Sequence, residues 1–260
     1  MADQKSKHAA FAALHDGPAF VIPNPWDAGS AKLLASVGFA ALATTSAGFA
    51  FAAGIPDGTP DLDSTLGNAA EIAGATALPV TADLGDGFAD PAETVRRAAA
   101  VGLVGGSVED AVGGEVLDVG VAVERVRAAA GAARGLPFLL TARAENFLFG
   151  RPDLDDTIAR LRAYAAAGAH VLYAPGLPDL DAVAAVCAAV GRPVNALATG
   201  AMSAAELAGA GVRRISTGSG LARVALTAAA EAAREALAGT FTAVGAAMPH
   251  RVLNGLMDGG

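Results

Sequence analysis

Lysine is nearly absent from this chain. Only Lys5, Lys7 and Lys32 occur in 260 residues, and none falls at the end of a β-like run. Schiff-base aldolase chemistry and pyridoxal phosphate attachment both require a positioned amine, so both are excluded. Cysteine is equally scarce: the single Cys187 allows no internal disulfide and suits a reducing compartment. Positive charge is short overall, with 18 Lys and Arg against 26 Asp and Glu for a net charge of −8, and no basic cluster is present. That balance argues against nucleic acid and anionic membranes as partners. Although 53% of residues are hydrophobic, no apolar run reaches the ~18 residues of a membrane span. The opening MADQKSKHAA lacks a signal-peptide core, which predicts a cytoplasmic protein. The four histidines, His8, His15, His170 and His250, share no spacing that would suit a metal.

What the chain does contain is a rhythm. Eight short β-branched or apolar runs end in a polar residue and are each followed by a helical segment. They are Ala19–Ile22, Ala40–Thr44, Val80–Asp83, Gly105–Glu109, Phe138–Arg143, His170–Tyr173, Val194–Ala196 and Arg214–Thr217. Strands separated by helices must pair in parallel, and eight such units in about 250 residues predict a (β/α)8 TIM barrel spanning 1–260 as one domain. A leader helix over Lys7–Leu14 is expected to close the barrel bottom. Helix starts are signalled by Asp27, by Asp90-Pro91-Ala92-Glu93 as cap, N1 proline and capping-box glutamate, by Asp153 and Asp179, and by Ser203 with Glu206. Glycines mark helix ends at Gly38, Gly102, Gly168 and Gly211. The last barrel helix, about Leu221–Ala238, is apolar on most faces, with Arg223, Glu231, Arg234 and Glu235 as its polar stripe, and predicts packing against another subunit.

Barrel active sites sit at strand C-termini, so those positions carry the functional reading. They hold Asn24, Ser46, Asp83, Glu109, Arg143 and Asn195. Asp83, followed by Gly85, Asp86 and Gly87, suits a hard cation that takes one or two carboxylates and keeps its waters; the alternative is a turn cap, with Asp86 solvated. Alternation places Ser107 and Glu109 together, opposite Val108 and Asp110. Glu109 then lies one strand from Asp83, close enough to share a metal through water, or else pairs with an arginine. Arg143 offers a planar fork for a carboxylate or phosphoryl group, or else pairs with Glu145 or Glu109. Small residues after the second strand let backbone amides and the Ser46 hydroxyl approach an anion. Gly218-Ser219-Gly220 reads as a phosphate cradle or a plain tight turn. His170 starts a strand, at the wrong end of the barrel, and Cys187 reads as an inert core thiol.

These segments together resemble the isocitrate lyase / phosphoenolpyruvate mutase superfamily. The matching stretches are IPNPWDAGSAKLLASVGFAALATTSAG, GIPDG, PVTADLGDGF, GSVEDA, LLTARAENF, AYAAAGAHVLYAPGLPD, PVNALA and GVRRISTGSGLARVAL, in order from about residue 22 to 226. The resemblance implies an Mg2+-dependent barrel, with Mn2+ as a substitute. It also implies a homodimer or homotetramer, with the last barrel helix exchanged between neighbours, and an enolate of pyruvate formed from a 2-oxo-acid-like or dicarboxylate substrate. By position it implies Asp83 as direct metal ligand, with Asp57 and Glu109 holding metal-bound waters and Arg143 binding substrate. Ser46, Ala47 and Gly48 would bind a carboxylate, and Trp26 and Asn195 would line the pocket. Two departures stand out. Gly85 occupies the place where a second acid is usual, with Asp86 next to it, and the stretch Ala111–Leu117 lacks the cysteine, lysine, histidine or asparagine of the family's mobile loop. Tyr173 and Glu145, near strand ends, are the remaining candidates for proton donor. The first reading is therefore an Mg2+-dependent lyase acting on a C–C bond. The alternatives are phosphonate P–C mutase or hydrolase chemistry, or a degenerate barrel that only binds a small carboxylate.

Overall fold

Short apolar runs and alanine-rich amphipathic segments alternate along the chain, and each finds the partner its pattern requires. The computed structural model describes residues 3–258, so the first two and last two residues of the predicted 1–260 unit lie outside the described residues. Its strands are β1 (Phe20–Ile22), β2 (Leu42–Ala43), β3 (Val80–Asp83), β4 (Gly105–Glu109), β5 (Ala111–Val112), β6 (Glu115–Val116), β7 (Leu139–Arg143), β8 (Val171–Tyr173), β9 (Val194–Leu197) and β10 (Arg214–Ser216). Its helices are α1 (Gln4–Asp16), α2 (Ala28–Val37), α3 (Ser46–Ala52), α4 (Leu62–Gly74), α5 (Pro91–Ala100), α6 (Val119–Ala133), α7 (Leu154–Ala167), α8 (Leu180–Val190), α9 (Ala204–Gly209), α10 (Gly220–Leu237), α11 (Thr242–Gly245) and α12 (His250–Met257).

Eight strands form one parallel sheet in the order β1-β10-β9-β8-β7-β4-β3-β2. The seam between β1 and β2 is drawn together by the Ala43 N–H donating to the Pro23 carbonyl at 3.0 Å, and by Asn24 Nδ2 donating to the Thr44 carbonyl at 2.9 Å. The result is the (β/α)8 TIM barrel that the rhythm predicts. Asn24 Oδ1 also accepts from the Thr217 and Gly218 N–H groups, so this one side chain ties β1, β2 and the end of β10. The remaining two strands, β5 and β6, form an antiparallel hairpin after β4, turned by Gly113 and Gly114 at φ 60° and 88°. That hairpin occupies the stretch where the family's mobile loop is expected.

Caps form as the acidic helix starts suggest. Asp27, Asp153, Asp179 and Ser203 each accept an N3 backbone N–H, and Ser203 with Glu206 makes the reciprocal box. Asp90 accepts from Ala92 and Glu93 with Pro91 at the first turn, but the Glu93 carboxylate does not return the bond. It pairs instead with Arg96 one turn on, at 2.8 Å. The core lies between sheet and helices, where residues such as Leu66, Ile72, Val95, Val126, Phe138, Leu161 and Leu172 are buried; each such side chain contributes roughly 2 kcal/mol of transfer free energy. Close packing needs Gly106 in β4, because a Cβ there would lie 2.5 Å from Leu84 and 2.9 Å from Phe138.

Helix α1 lies across the N-terminal ends of the strands. Gln4 Nε2 donates to the Ala99 and Leu103 carbonyls, and fully buried Phe11 packs with Ile22, Ala41 and Val104. His15 is buried edge-on between Phe11 and Phe20, with Nδ1 at 2.9 Å from the Phe11 carbonyl. Burial first, then the Arg214 and Arg213 guanidinia, hold its pKa down from 6.5 to about 4. The folded imidazole thus binds a proton less tightly than the unfolded one. Its contribution to stability is complete above pH 6.5 and is lost as pH falls toward 4, by on the order of 3 kcal/mol. Denaturant titrations of wild type and His15→Leu across that window are expected to show a shallower acid loss in the variant. Parallel curves would remove the assignment.

Only Ala222 of α10 is buried, and Val224, Leu226 and Leu237 project outward, Leu237 with 90% of its surface exposed. Phe241 and Val244 of the following segment are exposed as well. No helix among the described residues is long and apolar enough to cross a membrane.

Candidate active site at the strand C-termini

Arg143 ends β7 with its guanidinium in the middle of three carboxylates. Nη1 lies 3.1 Å from Asp83, Nη2 3.3 Å from Glu109 and Nε 2.7 Å from Glu145. Parallel register sets this up, because Asp83 pairs with Ser107 and Glu109 with Arg143 across β3, β4 and β7. Burial by itself would lower the Arg143 pKa, but Glu145, Asp83 and Glu109 outweigh it, so the guanidinium is held charged. Its face also lies 5.1 Å from the centre of the Tyr173 ring. The internal pairs that the sequence offered for Arg143, with Glu145 and Glu109, are both present and are joined by a third with Asp83.

Asp83 is set by further donors. Ser46 Oγ donates to it at 2.9 Å, Ser107 Oγ at 3.3 Å, and its own N–H is held by the Thr44 hydroxyl at 3.1 Å. Glu109 is tied to the same loop through its N–H, which donates to the Gly85 carbonyl at 2.9 Å. Burial raises the Glu109 pKa from 4.5 to about 8 against the opposing pull of Arg143, with the nearby carboxylates Glu145, Asp83 and Asp86 adding to the rise. Burial also raises Glu145, which is 1% exposed in its side chain. The Tyr173 phenol is pushed up to about 12, again by burial first, so it is protonated at neutral pH.

Two adjoining cavities open on this cluster. The inner one, about 240 Å3, is bordered by Ser46, Ala47, Asp83, Arg143, Tyr173 and Asn195 among others. The outer one, about 650 Å3, shares Asp83 and Arg143 and adds Asp86, Glu109, Glu145 and the β5–β6 hairpin. Asp57, on the exposed loop after α3, borders both. Gly218 and Ser219 border the inner one, although the Gly218 N–H is already given to Asn24.

Not every sequence-predicted residue reaches the cavities. Trp26 borders neither; it packs behind α3, where its Cβ lies 3.1 Å from the place a Gly48 Cβ would occupy. The Gly48 N–H is taken by the Thr45 hydroxyl, so Gly48 serves close packing and offers no donor. Asp86 borders the outer cavity but accepts from the Phe88 N–H at 2.8 Å and faces Arg125 at 4.0 Å. Arg125 also holds the Phe88 carbonyl at 2.7 Å, fixing a non-glycine residue at φ 56° in the loop beside the site.

Two residues that shape the site were not foreseen. Asp110, expected only to face away from Glu109, is a buried anchor. It accepts from Arg160 at 3.1 Å, the Tyr164 hydroxyl at 2.5 Å and the Glu145 N–H at 2.8 Å. Arg214 enters the barrel interior, and the one signal for it was a charged residue within the apolar run of the eighth strand. His170 and Cys187 stay outside the site: the Leu140 N–H donates to His170 Nδ1, and burial pushes the Cys187 thiol up to about 11.

The phosphoenolpyruvate phosphomutase profile matches residues 11–237. The chain belongs to this family, within the isocitrate lyase / phosphoenolpyruvate mutase superfamily. An uncharacterised protein of Mycobacterium tuberculosis is 34% identical over 227 residues, covering 85% of each chain. Among solved structures, a proposed lyase or mutase from Burkholderia cenocepacia is 54% identical, with a TM-score of 0.93 over 96% of this chain and 95% of that one. A 2,3-dimethylmalate lyase is 26% identical, with a TM-score of 0.87 over 99% of this chain and 95% of the other. The superfamily comprises lyases, mutases and hydrolases that act on pyruvate-like substrates.

The donor set of this family member suits a hard cation that keeps most of its water. Asp83, Glu109, Asp57 and Asp86 all border the outer cavity, and no group of three or more ligating side chains is preformed among the described residues. Mg2+ has that habit, binding through one or two carboxylates and water. At Gly85, φ is +54° and a Cβ would meet nothing within 4 Å, so the missing second acid leaves space on the cavity wall and no compensating contact.

Proposed function

We propose that this chain is an Mg2+-dependent lyase acting on a C–C bond of a small 2-oxo acid or related carboxylate, through a pyruvate-like enolate. The observation that carries this reading is the cluster at the barrel mouth, where one guanidinium is shared by Asp83, Glu109 and Glu145 beside a small cavity. Carboxylate oxygens gathered around one guanidinium are the ligands a hard cation takes. The position of the cluster matches where barrel enzymes place their chemistry. Asp83 would hold Mg2+ directly, with Glu109, Asp57 and Asp86 reaching it through water. Bound there, the ion supplies Lewis acidity toward a chelating oxo-carboxylate, the stabilisation a developing enolate needs.

The chain's own groups do the rest. Ser46 and Ala47 border the inner cavity, and their backbone N–H groups at the start of α3 suit a carboxylate oxygen, the Ser46 hydroxyl being given to Asp83. Arg143, held charged and fixed over Tyr173, adds positive charge next to the reacting oxygens. Tyr173 is the better placed proton donor, since its phenol keeps its proton and borders the inner cavity, whereas Glu145 is engaged with Arg143 Nε. The β5–β6 hairpin brings no acid or base to the inner cavity, which restricts this duty to strand-borne residues. Phosphonate chemistry is the second reading; Arg143, the cation beside Asp83, is already shared by three carboxylates and so offers a phosphoryl group less than it offers a metal-bound oxo acid. The exposed apolar side chains of α10 support a homodimer or homotetramer, a reading that a monomeric mass by light scattering would remove.

The deciding experiment is calorimetry of oxalate, a stand-in for pyruvate enolate, with and without Mg2+. Binding that requires Mg2+ supports the lyase reading and directs screening to 2-oxo acids. Binding indifferent to Mg2+ overturns it and leaves a carboxylate-binding barrel without the family chemistry.

A further inference from the structure

Three arginines are largely buried in and around the barrel, and two of them are matched by acids. Arg143 has Asp83, Glu109 and Glu145, and Arg160 has Asp110 and Asp156. Arg214 has none. It begins β10, is 6% exposed, and extends across the barrel interior to β9 and β7. Its Nε donates to Asn195 Oδ1 at 2.8 Å and its Nη2 to the Thr141 hydroxyl at 3.0 Å. No carboxylate lies within 4.0 Å of it among the described residues, and Nη1 makes no hydrogen bond there. Arg214 nevertheless borders the same inner cavity as Asp83 and Arg143.

An unpaired buried charge is among the costliest features a fold can carry, and buried charges are ordinarily paired. Burial does strain this one, lowering its pKa from 12.5 to about 10, with only the Tyr173 phenol acting to raise it. The site is built to hold the guanidinium in place even so. Asn195 is oriented by its Nδ2, which donates to Ser216 Oγ at 3.0 Å, leaving Oδ1 for Arg214. Thr141 lies two residues before Arg143 on β7, so the Arg214 fork sits one layer deeper in the barrel than the carboxylate cluster. The cavity is therefore polarised: acids that suit a cation line its mouth, and an uncommitted cation lies at its floor. The remaining floor groups, Thr141, Asn195 and Ser216, are neutral and polar.

We propose that Arg214 is a substrate-binding residue that receives a second carboxylate, so that the ligand of this cavity is a small dicarboxylate spanning mouth and floor. This inference rests on the enolate-site reading for the first carboxylate. The planar fork matches a carboxylate, and a single guanidinium among neutral groups matches its single charge.

The test uses inert ligand pairs that differ only in the distal carboxylate, succinate against butyrate and glutarate against valerate, with oxalate as a probe of the mouth alone. Affinities are measured with and without Mg2+ for wild type, Arg214→Gln and Arg214→Lys, with melting curves to confirm folding. Wild type is expected to bind at least one dicarboxylate about 30-fold or more tightly than its monocarboxylate partner, the loss typical of removing one member of a buried charge pair. Arg214→Gln is expected to erase that preference while oxalate affinity stays within about threefold, and Arg214→Lys to keep part of it. A preference absent from wild type, or retained in Arg214→Gln, overturns the proposal, as does an equal loss of oxalate and dicarboxylate binding. Should Arg214→Gln fail to fold, the wild-type preference and its change in Arg214→Lys decide the matter. Oxalate binding indifferent to Mg2+ would fail the lyase reading alone, because the preference carried by Arg214 would persist without metal.

Discussion

Asp83→Ala is expected to abolish Mg2+-dependent oxalate binding and to lower any turnover by about a thousandfold or more, the scale of losing a principal electrostatic stabiliser. Asp83 is where the site's contacts converge. It is held by Ser46, Ser107 and Thr44, faces Arg143 at 3.1 Å, and borders both cavities. Removing its carboxylate takes away the proposed direct ligand. The folded state should tolerate the change, because Arg143 retains Glu109 and Glu145, and the side chain of Asp83 is 20% exposed. A melting temperature near wild type combined with lost Mg2+ dependence is therefore the expected pair of results. Full metal-dependent binding in the variant would refute the ligand role.

The second large effect concerns stability. Asp110→Ala is expected to destabilise the protein by about 3–5 kcal/mol, the loss found when one partner of a buried ion pair is removed. Asp110 is 2% exposed and satisfies Arg160, the Tyr164 hydroxyl and the Glu145 N–H at once. Without it, Arg160 keeps Asp156 at 2.8 Å, but the Tyr164 hydroxyl and the Glu145 amide lose their acceptor in a dry environment. The Glu145 bond runs directly to the site, so a weakened hold on Arg143 should accompany the instability. Denaturant unfolding with an unchanged m-value measures the first effect. A change below about 1 kcal/mol would show that water or Asp156 replaces the lost acceptor.

Much of the fold was legible in the chain because its signals are local. A β-run needs only its own residues to declare its period, and a cap needs only the next three. Eight runs, five N3-bonded caps and the left-handed glycines at 38, 102, 168 and 211 all appear in the structure as strands, helix starts and helix ends. Where two local options competed, the nearer charge won: Glu93 turned to Arg96 and left its capping box open.

The site divides along the same line. By itself the sequence determined which residues stand at strand ends, since parallel alternation and the barrel rule place Asp83, Glu109, Arg143 and Tyr173 at one mouth. Asn195, expected there too, lies one residue into β9 and deeper in the barrel. Only the tertiary structure decided how their charges combine, because register across β3, β4 and β7 brings Arg143 within 3.3 Å of three carboxylates. It likewise decided that Trp26 and Gly48 serve packing, that the loop after β4 is a closed hairpin, and that Arg214 enters the barrel unmatched. Those outcomes depend on which side chain is nearest across the barrel, and pairing energies in a low-dielectric interior change with a few ångströms that no linear spacing encodes.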